Sequence, residues 1–347
     1  MTVRLKDIAK IAKVSEATVS LALNDNKLVN ENTKQKIKKI ANELGYTVNS
    51  LARSLVKQTN RTIGVVIPDI ENPYYSQLVK YLDSYIKEAG YNTIIAISND
   101  KPKIESSIIN NFISEHVEGV IIVPINNNNK NIDYINLLND NNIPFIFSTS
   151  YYPGIDAPYV MVDLEDGMYK LVKYLIDLGH RKIYFICGFI EVLTTYLRLD
   201  GYLKAFKEKN IEPVKNFYIE CTRVNYDDAQ KATLKLINEN TSFDAIIAIN
   251  DLMAIGVLNV LKKNGYLIPE DVSLAGYDNT LFSSIASIPI TTVSQDLRLI
   301  GRNSVDMIIN KIDNKVVLLE NVLMRPELII RETTHIKKLS LDISLTS

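Results

Sequence analysis

Residues Arg4 to Asn24 read RLKDIAKIAKVSEATVSLALN, and the reading of the whole chain starts from this stretch. Leu5, Ile8, Ile11 and Ala12 recur at helical spacing, and Val19, Ala22 and Leu23 give a second apolar stripe of the same period. Between them Val14 and Ser15 turn the chain, with Ser15 placed to cap a helix that Glu16 opens. A third helix is predicted from about Asn32, carrying Ile37, Ile40, Ala41 and Leu44 on one face and stopped by Gly45. Three short helices around one small core, the second opening on polar residues, imply a helix-turn-helix whose second helix presents its first turn to the major groove.

The charge distribution agrees. Residues 1–60 carry eleven Lys or Arg against five Asp or Glu, a net of +6, and the remainder of the chain carries 28 against 35, a net of −7. The near-neutral total therefore hides a basic head on an acidic body. Such a head suits phosphate neutralisation, and the body is expected to stay off the duplex.

The 347 residues, 46% of them hydrophobic, supply core material for two to three domains. The start MTVRLKDIAK has no apolar core of a secretion signal and no run approaches ~18 apolar residues, so the expected location is the cytoplasm, with no membrane contact. Two cysteines, Cys187 and Cys221, and three scattered histidines, His116, His180 and His335, suggest neither a disulfide framework nor a metal site. Cys187 lies in the apolar run IYFIC and reads as a buried thiol. No P-loop, GxGxxG, nucleophile elbow or His–acid cluster is present, so no enzyme activity and no cofactor are expected.

From Arg61 onward short β-branched runs alternate with amphipathic segments, which points to parallel sheets covered by helices. Strands are predicted at 63–67, 92–97, 120–123, 145–147, 160–162, 183–186, 218–219, 245–249 and 273–275. Helices are predicted near 74–88, 103–115, 132–140, 165–178, 198–210, 227–239 and 251–264. This makes two doubly wound units in series. Ligands of open parallel sheets bind beyond the carboxyl ends of the strands, where Asp69, Asn72, Asn250, Asp251 and Asp278 fall.

The chain resembles the lactose-repressor (LacI/GalR) family of bacterial transcription regulators over nearly its full length. The blocks that carry the resemblance are KDIAKIAKVSEATVSLALN, ELGYTVNSLARSL, IGVVIPDIENPYYSQL, VEGVIIVP, LGHRKIYFICG, RLDGYLKAF, AINDLMAIGVL, PEDVSLAGYDNT and TTVSQDLRLIG, in the family's order. The resemblance implies a small all-α head at 1–46, a hinge at 47–60, a periplasmic-binding-protein-like α/β body at 61–335 and a tail at 336–347. Within the body it implies an N-subdomain of about 61–161 plus 294–322 and a C-subdomain of about 162–293 plus 323–335. It further implies a homodimer on a pseudo-palindromic DNA operator, acting as a repressor under the control of a small effector, a sugar or sugar derivative.

By that resemblance, Glu16, Ala17 and Leu21 occupy base-reading positions, with Leu21 where many members carry Arg. Glutamate accepts from cytosine N4, and leucine offers only apolar contact, for instance to a thymine methyl. Lys6, Ser15, Thr18, Ser20, Asn24 and Thr33 complete the DNA-facing set in the head, with Thr18, Ser20, Asn24 and Thr33 at phosphate positions. Asn49, Ala52, Arg53 and Leu55 belong to a hinge helix whose leucine wedges into a kinked minor-groove step. Three departures are expected to matter: Arg4 for a capping Thr, Lys13 for a turn Gly, and Val48 for the Pro ahead of the hinge.

The effector positions implied are Tyr74, Tyr75, Thr149, Thr194, Arg198, Asn250 and Asp278. Arg198 would grip hydroxyls or a carboxylate, Asp278 and Asn250 would bond hydroxyls, and the two tyrosines would offer flat faces. The tail after His335 shows no heptad repeat, which argues against a tetramerising coiled coil.

Overall fold

The computed structural model describes residues 3–46, 60–127, 131–313 and 321–337. The chain divides into two compact units, Met1–Asn60 and Arg61–Ser347. In the first, helices α1 (Leu5–Ala12), α2 (Glu16–Leu23) and α3 (Glu31–Glu43) close on Ile8, Ala12, Val19, Ala22, Ile37 and Ile40. Caps define their ends. Ser15 Oγ accepts from Thr18 N at 3.1 Å, and Asn30 Oδ1 accepts from Thr33 N at 2.8 Å, so α3 begins one residue before the predicted start. At its other end Gly45 takes φ +64° and Tyr46 N donates to Ala41 O at 2.9 Å, the 6→1 bond of a Schellman stop.

Two of the expected departures are explained locally. Arg4 supplies no side-chain cap, but Asp7 Oδ2 accepts from Arg4 N at 2.9 Å and serves one of the free amides of the first turn. Lys13 sits at φ 58°, ψ 46°, a left-handed conformation that favours glycine. One core assignment is corrected: Ile11 is 52% exposed and Ala9 is buried in its stead. At 100° per residue, Ile11 lies about 110° around α1 from the centre of the Leu5–Ile8–Ala9–Ala12 stripe.

In the second unit a six-stranded parallel sheet joins β1 (Thr62–Ile67), β2 (Asn92–Ile97), β3 (Gly119–Ile122), β4 (Phe145–Ser148), β5 (Tyr159–Val162) and β11 (Val322–Met324) in the order β11-β5-β4-β3-β1-β2. Helices α4 (Pro73–Glu88), α5 (Pro102–Ser114) and α6 (Asn136–Asp140) connect its strands. A second parallel sheet joins β6 (Ile183–Cys187), β7 (Tyr218–Glu220), β8 (Ala245–Ala248) and β9 (Ser273–Ala275) in the order β7-β6-β8-β9. Its connections are α7 (Leu164–Asp177) leading in, then α8 (Leu193–Glu208), α9 (Tyr226–Asn238) and α10 (Asp251–Lys263). Strands β1, β3 and β4 are buried at every residue, as covered parallel strands require.

Five elements lie beyond the sequence-based prediction: α11 (Leu281–Ile285), β10 (Thr292–Ser294), α12 (Leu297–Ile312), β11 and β12 (Glu327–Ile329). The chain thus leaves the first sheet after β5, returns through β10 to α12, and crosses again between β11 and β12, where β10 and β12 pair antiparallel. Helix α12 carries a signal that the prediction passed over: Asp296 caps Leu299 N at 2.9 Å ahead of a buried Leu297–Ile300–Ser304–Ile308 stripe. Helix α8 starts five residues earlier than expected, because its first turn has no side-chain cap and carries two β-branched threonines, Thr194 and Thr195, of low helix propensity.

Candidate functional sites

The first site is the outer face of α2 in the head. Ser15, Glu16 and Ala17 are all exposed at its first turn, where unpaired amides and the helix dipole favour an anion. Thr18 is half-buried and shares a 2.9 Å hydroxyl contact with Ser15, so the two side chains fix each other. Lys6 is exposed, and Ser20 and Thr33 are half-buried. Asn24 turns inward instead, giving Nδ2 to Ser20 O at 2.9 Å while its Oδ1 is buried without a partner. Leu21 is half-buried and packs against the head's core, so it is no free-standing surface leucine. The hinge positions Asn49, Ala52, Arg53 and Leu55, and Val48 ahead of them, lie outside the described residues.

The second site is a cavity in the body at the carboxyl ends of both sheets. Tyr74, Tyr75, Thr149, Thr194, Arg198, Asn250 and Asp278 all line it. So do Asp69 and Asn72 beyond β1, Asp100 beyond β2, Asn126 beyond β3, and Gln295 beyond β10. Asp251 does not line it. Its carboxylate lies beneath, accepting from Thr280 N at 2.6 Å and from Thr292 Oγ1 at 2.6 Å, and so ties the Asp278 turn to the crossing strand β10. Burial pushes the Asp251 carboxyl up to about 6.

At the centre stand Arg198 and Asp278, 6% and 7% exposed. Their nearest atoms, Arg198 Nη2 and Asp278 Oδ1, are 3.9 Å apart, an ion pair too long to be a hydrogen bond. Arg198 Nη1 donates to Thr194 O at 3.1 Å, one helical turn back, and the guanidinium lies 4.2 Å from the centre of the Tyr277 ring. Arg198 Nε is buried with no partner. A guanidinium held on one edge and unspent on another is arranged to receive an acceptor oxygen.

Asp278 is held at φ 105° by Asp278 N to Val293 O at 2.8 Å, and it accepts from Gln295 Nε2 at 2.7 Å. Gln295 Oε1 in turn accepts from Tyr74 OH at 3.2 Å. Burial drives the Asp278 carboxyl well above the usual range, against the pull of Arg198. Tyr74 is buried with its hydroxyl committed to this chain, so it forms wall and not a free stacking face. Tyr75 is half-buried and its hydroxyl accepts from Asn126 Nδ2 at 2.9 Å. Burial raises its pKa, so the phenol keeps a proton to donate. Asn126 N donates to Asp100 Oδ1 at 2.7 Å, and burial also raises the Asp100 carboxyl. Asn250 divides its duties, capping Met253 N at 2.8 Å while facing the cavity.

Asp100, Asn126 and Gln295 were missed in the sequence. Asp100 follows a predicted strand and the strand-end rule reaches it; Asn126 is lost in an asparagine run, and Gln295 follows a strand of three residues that no pattern signals. Among the described residues no helix is long and apolar enough to cross a membrane, and no group of His, Cys, Asp and Glu could hold a metal ion. Cys187 and Cys221 are buried, and burial raises the pKa of each thiol, that of Cys221 to about 12.

Residues 4–49 match the family described as bacterial regulatory proteins, lacI family, and residues 172–334 match the periplasmic binding protein-like domain. The chain is 32% identical to catabolite control protein A of Priestia megaterium over 302 residues, 87% of this chain and 90% of that protein. It is 31% identical to the transcriptional repressor PurR of Vibrio vulnificus over 336 residues, 97% of this chain and 99% of that one. Among solved structures, the Lac repressor dimer bound to operator and the anti-inducer ONPF superposes with a TM-score of 0.85 at 27% identity, covering 96% of this chain and 100% of that one.

Proposed function

From the premise that the chain belongs to the lacI family of DNA-binding transcriptional regulators, we infer that it is a homodimeric repressor whose operator affinity is set by a neutral sugar or sugar derivative. The observation that carries the effector part is the buried Arg198, with Nε unpartnered and Asp278 3.9 Å away across the cavity. A ligand hydroxyl can accept from the guanidinium and donate to the carboxylate at once, which neither side chain achieves alone.

Charge narrows the class. Asp69, Asp100 and Asp278 line the cavity with the single guanidinium of Arg198, and burial, which disfavours charge on Asp100 and Asp278, also disfavours a charged ligand, so a neutral polyol suits it better than a phosphorylated sugar. Thr149 and Asn250 add neutral donors and acceptors to the same wall. In the head, Glu16 and Ala17 at the exposed first turn of α2 read base edges, with Leu21 at their flank, while Lys6, Ser15, Thr18, Ser20 and Thr33 hold the backbone and the inward-turned Asn24 closes the end of α2. The hinge residues Asn49, Ala52, Arg53 and Leu55 complete the DNA contact.

Dimerisation has a candidate surface. Leu281, Phe282 and Ile285 on α11 are 65%, 48% and 64% exposed, an apolar patch that a second copy would cover. Effector binding then shifts the equilibrium between lobe arrangements and so the spacing of the paired heads. A coupling of about 1–3 kcal/mol moves operator affinity roughly 5- to 150-fold. This role places the protein in the cytoplasm, with the chromosome.

The test is a thermal-shift screen of neutral sugars and their phosphates on the full chain, paired with operator selection and anisotropy. Arg198→Ala is expected to abolish the sugar shift and the sugar response, with effector-free operator affinity unchanged. A sugar response that survives the substitution refutes the cavity assignment.

A further inference from the structure

The polar cavity encloses only about 60 Å³, far below the roughly 300–1,000 Å³ of a typical small-molecule site. It has a larger neighbour. A cavity of about 450 Å³ shares Asn126 and Thr194 with it and is walled mainly by Ile125, Tyr151, Tyr152, Leu193 and Tyr196. The two shared residues stand on the border between the compartments. Asn126 turns its amide to Tyr75, and Thr194 gives its carbonyl to Arg198.

The walls of the larger compartment are fixed on one side and open on the other. Tyr151 stacks on Tyr159 with ring centres 4.4 Å apart and 16° between planes. Tyr152 OH donates to Glu105 Oε2 at 2.7 Å and accepts from Ile125 N at 2.9 Å. Tyr196, at the start of α8, is 50% exposed and has an aromatic face to offer. A third cavity, of about 540 Å³, borders Asp278 and Gln295, but the 2.7 Å bond between those two side chains closes the polar compartment on that side.

We propose that the effector is a two-part molecule, a neutral sugar ring carrying a flat apolar substituent, with its hydroxyls between Arg198 and Asp278 and the substituent among Tyr151, Leu193 and Tyr196. This rests on the carbohydrate reading of the polar cavity and adds a second subsite to it. Size and chemistry agree: the small compartment satisfies a few polar groups, and the large one takes apolar surface out of water. Because one wall comes from the strand ends of the first sheet and the other from α8 of the second, the substituent touches both lobes and adds to the differential affinity that closes them.

The experiment titrates the full chain, by calorimetry, with the methyl glycosides of glucose, galactose and ribose and with the 4-nitrophenyl glycosides of the same sugars. A sugar that binds as its methyl glycoside is expected to bind ~10-fold or more tightly as the nitrophenyl glycoside. Tyr196→Ala and, separately, Leu193→Ser are expected to bring the aryl compound toward the methyl glycoside's affinity and to leave the latter unchanged. Methyl glycosides that bind with no gain from the aryl group, or a gain that survives both substitutions, overturn the second subsite and leave the carbohydrate reading standing. Binding by neither series overturns the carbohydrate reading, and this inference with it.

Discussion

The head and the body of this chain use charge in opposite ways. In the head, Lys6, Lys10, Lys13, Lys36 and Lys39 are exposed and the polar first turn of α2 faces water. In the body, Arg198, Asp251 and Asp278 are 6%, 0% and 7% exposed, and buried hydrogen bonds fix Asp251 and Asp278 in place. A surface charge gains little from any one partner but sums over many phosphates, and salt screens it. A buried charge is scarcely screened and acts through one or two exact contacts, at the cost of desolvation. The same residue types therefore build a grip on a polyanion in one unit and a cradle for a small polar ligand in the other.

Salt should break the two apart most widely. Raising it from 50 to 200 mM is expected to weaken operator binding by the order of 10³-fold or more, while effector affinity measured by calorimetry stays nearly constant. A comparable salt loss in both would mean that the cavity is not the shielded site described above.

The next contrast is in pH. Glu105 is fully buried beneath Tyr152, with Oε1 unpartnered and Oε2 accepting from Tyr134 OH and Tyr152 OH at 2.5 and 2.7 Å. Burial raises its carboxyl from 4.5 to about 7, so between those values the folded body holds a proton that the unfolded chain has released. Stability then falls as pH climbs through that window and levels off above it, by about 3 kcal/mol in all. Asp251, raised from 3.8 to about 6, adds a fall of the same sign. Glu105→Gln should flatten much of the decline in melting temperature of the body between pH 5 and 7. An unchanged slope would show that Glu105 ionises normally.

The smallest effect sharpens the contrast from the head's side. Lys13 occupies a left-handed conformation at φ 58°, so Lys13→Gly relieves strain there of about 1 kcal/mol, partly offset by the greater freedom of glycine in the unfolded chain. Calorimetry should show a small rise in the head's transition with the body's unmoved. A fall in the head's transition would mean that the turn gains more from lysine's contacts than it loses in strain.

Most of the head was legible in the sequence because its structure is local. Ser15 and Asn30 cap helices that begin at the next residue, and Gly45 ends one by turning the chain so that Tyr46 N reaches Ala41 O. Ile11 was misread because an i, i+3 count cannot tell the centre of a buried stripe from its edge. Strands β1, β3, β4, β6 and β8 of the body were legible for a related reason: apolar runs of four to six buried residues between helices have few other interpretations.

What the sequence alone determined, then, is whatever depends on neighbours within a helical turn or along one strand: the three-helix head, the alternation of strands and helices, and the polar residues waiting at strand ends. The tertiary structure decided what converges. It sets Arg198 beside Asp278, eighty positions away, bonds Gln295 to both Asp278 and Tyr74, and pairs the three-residue strands β10 and β12. Contacts of that range carry no period, because their geometry is fixed by the packing of whole sheets and not by the residues on either side.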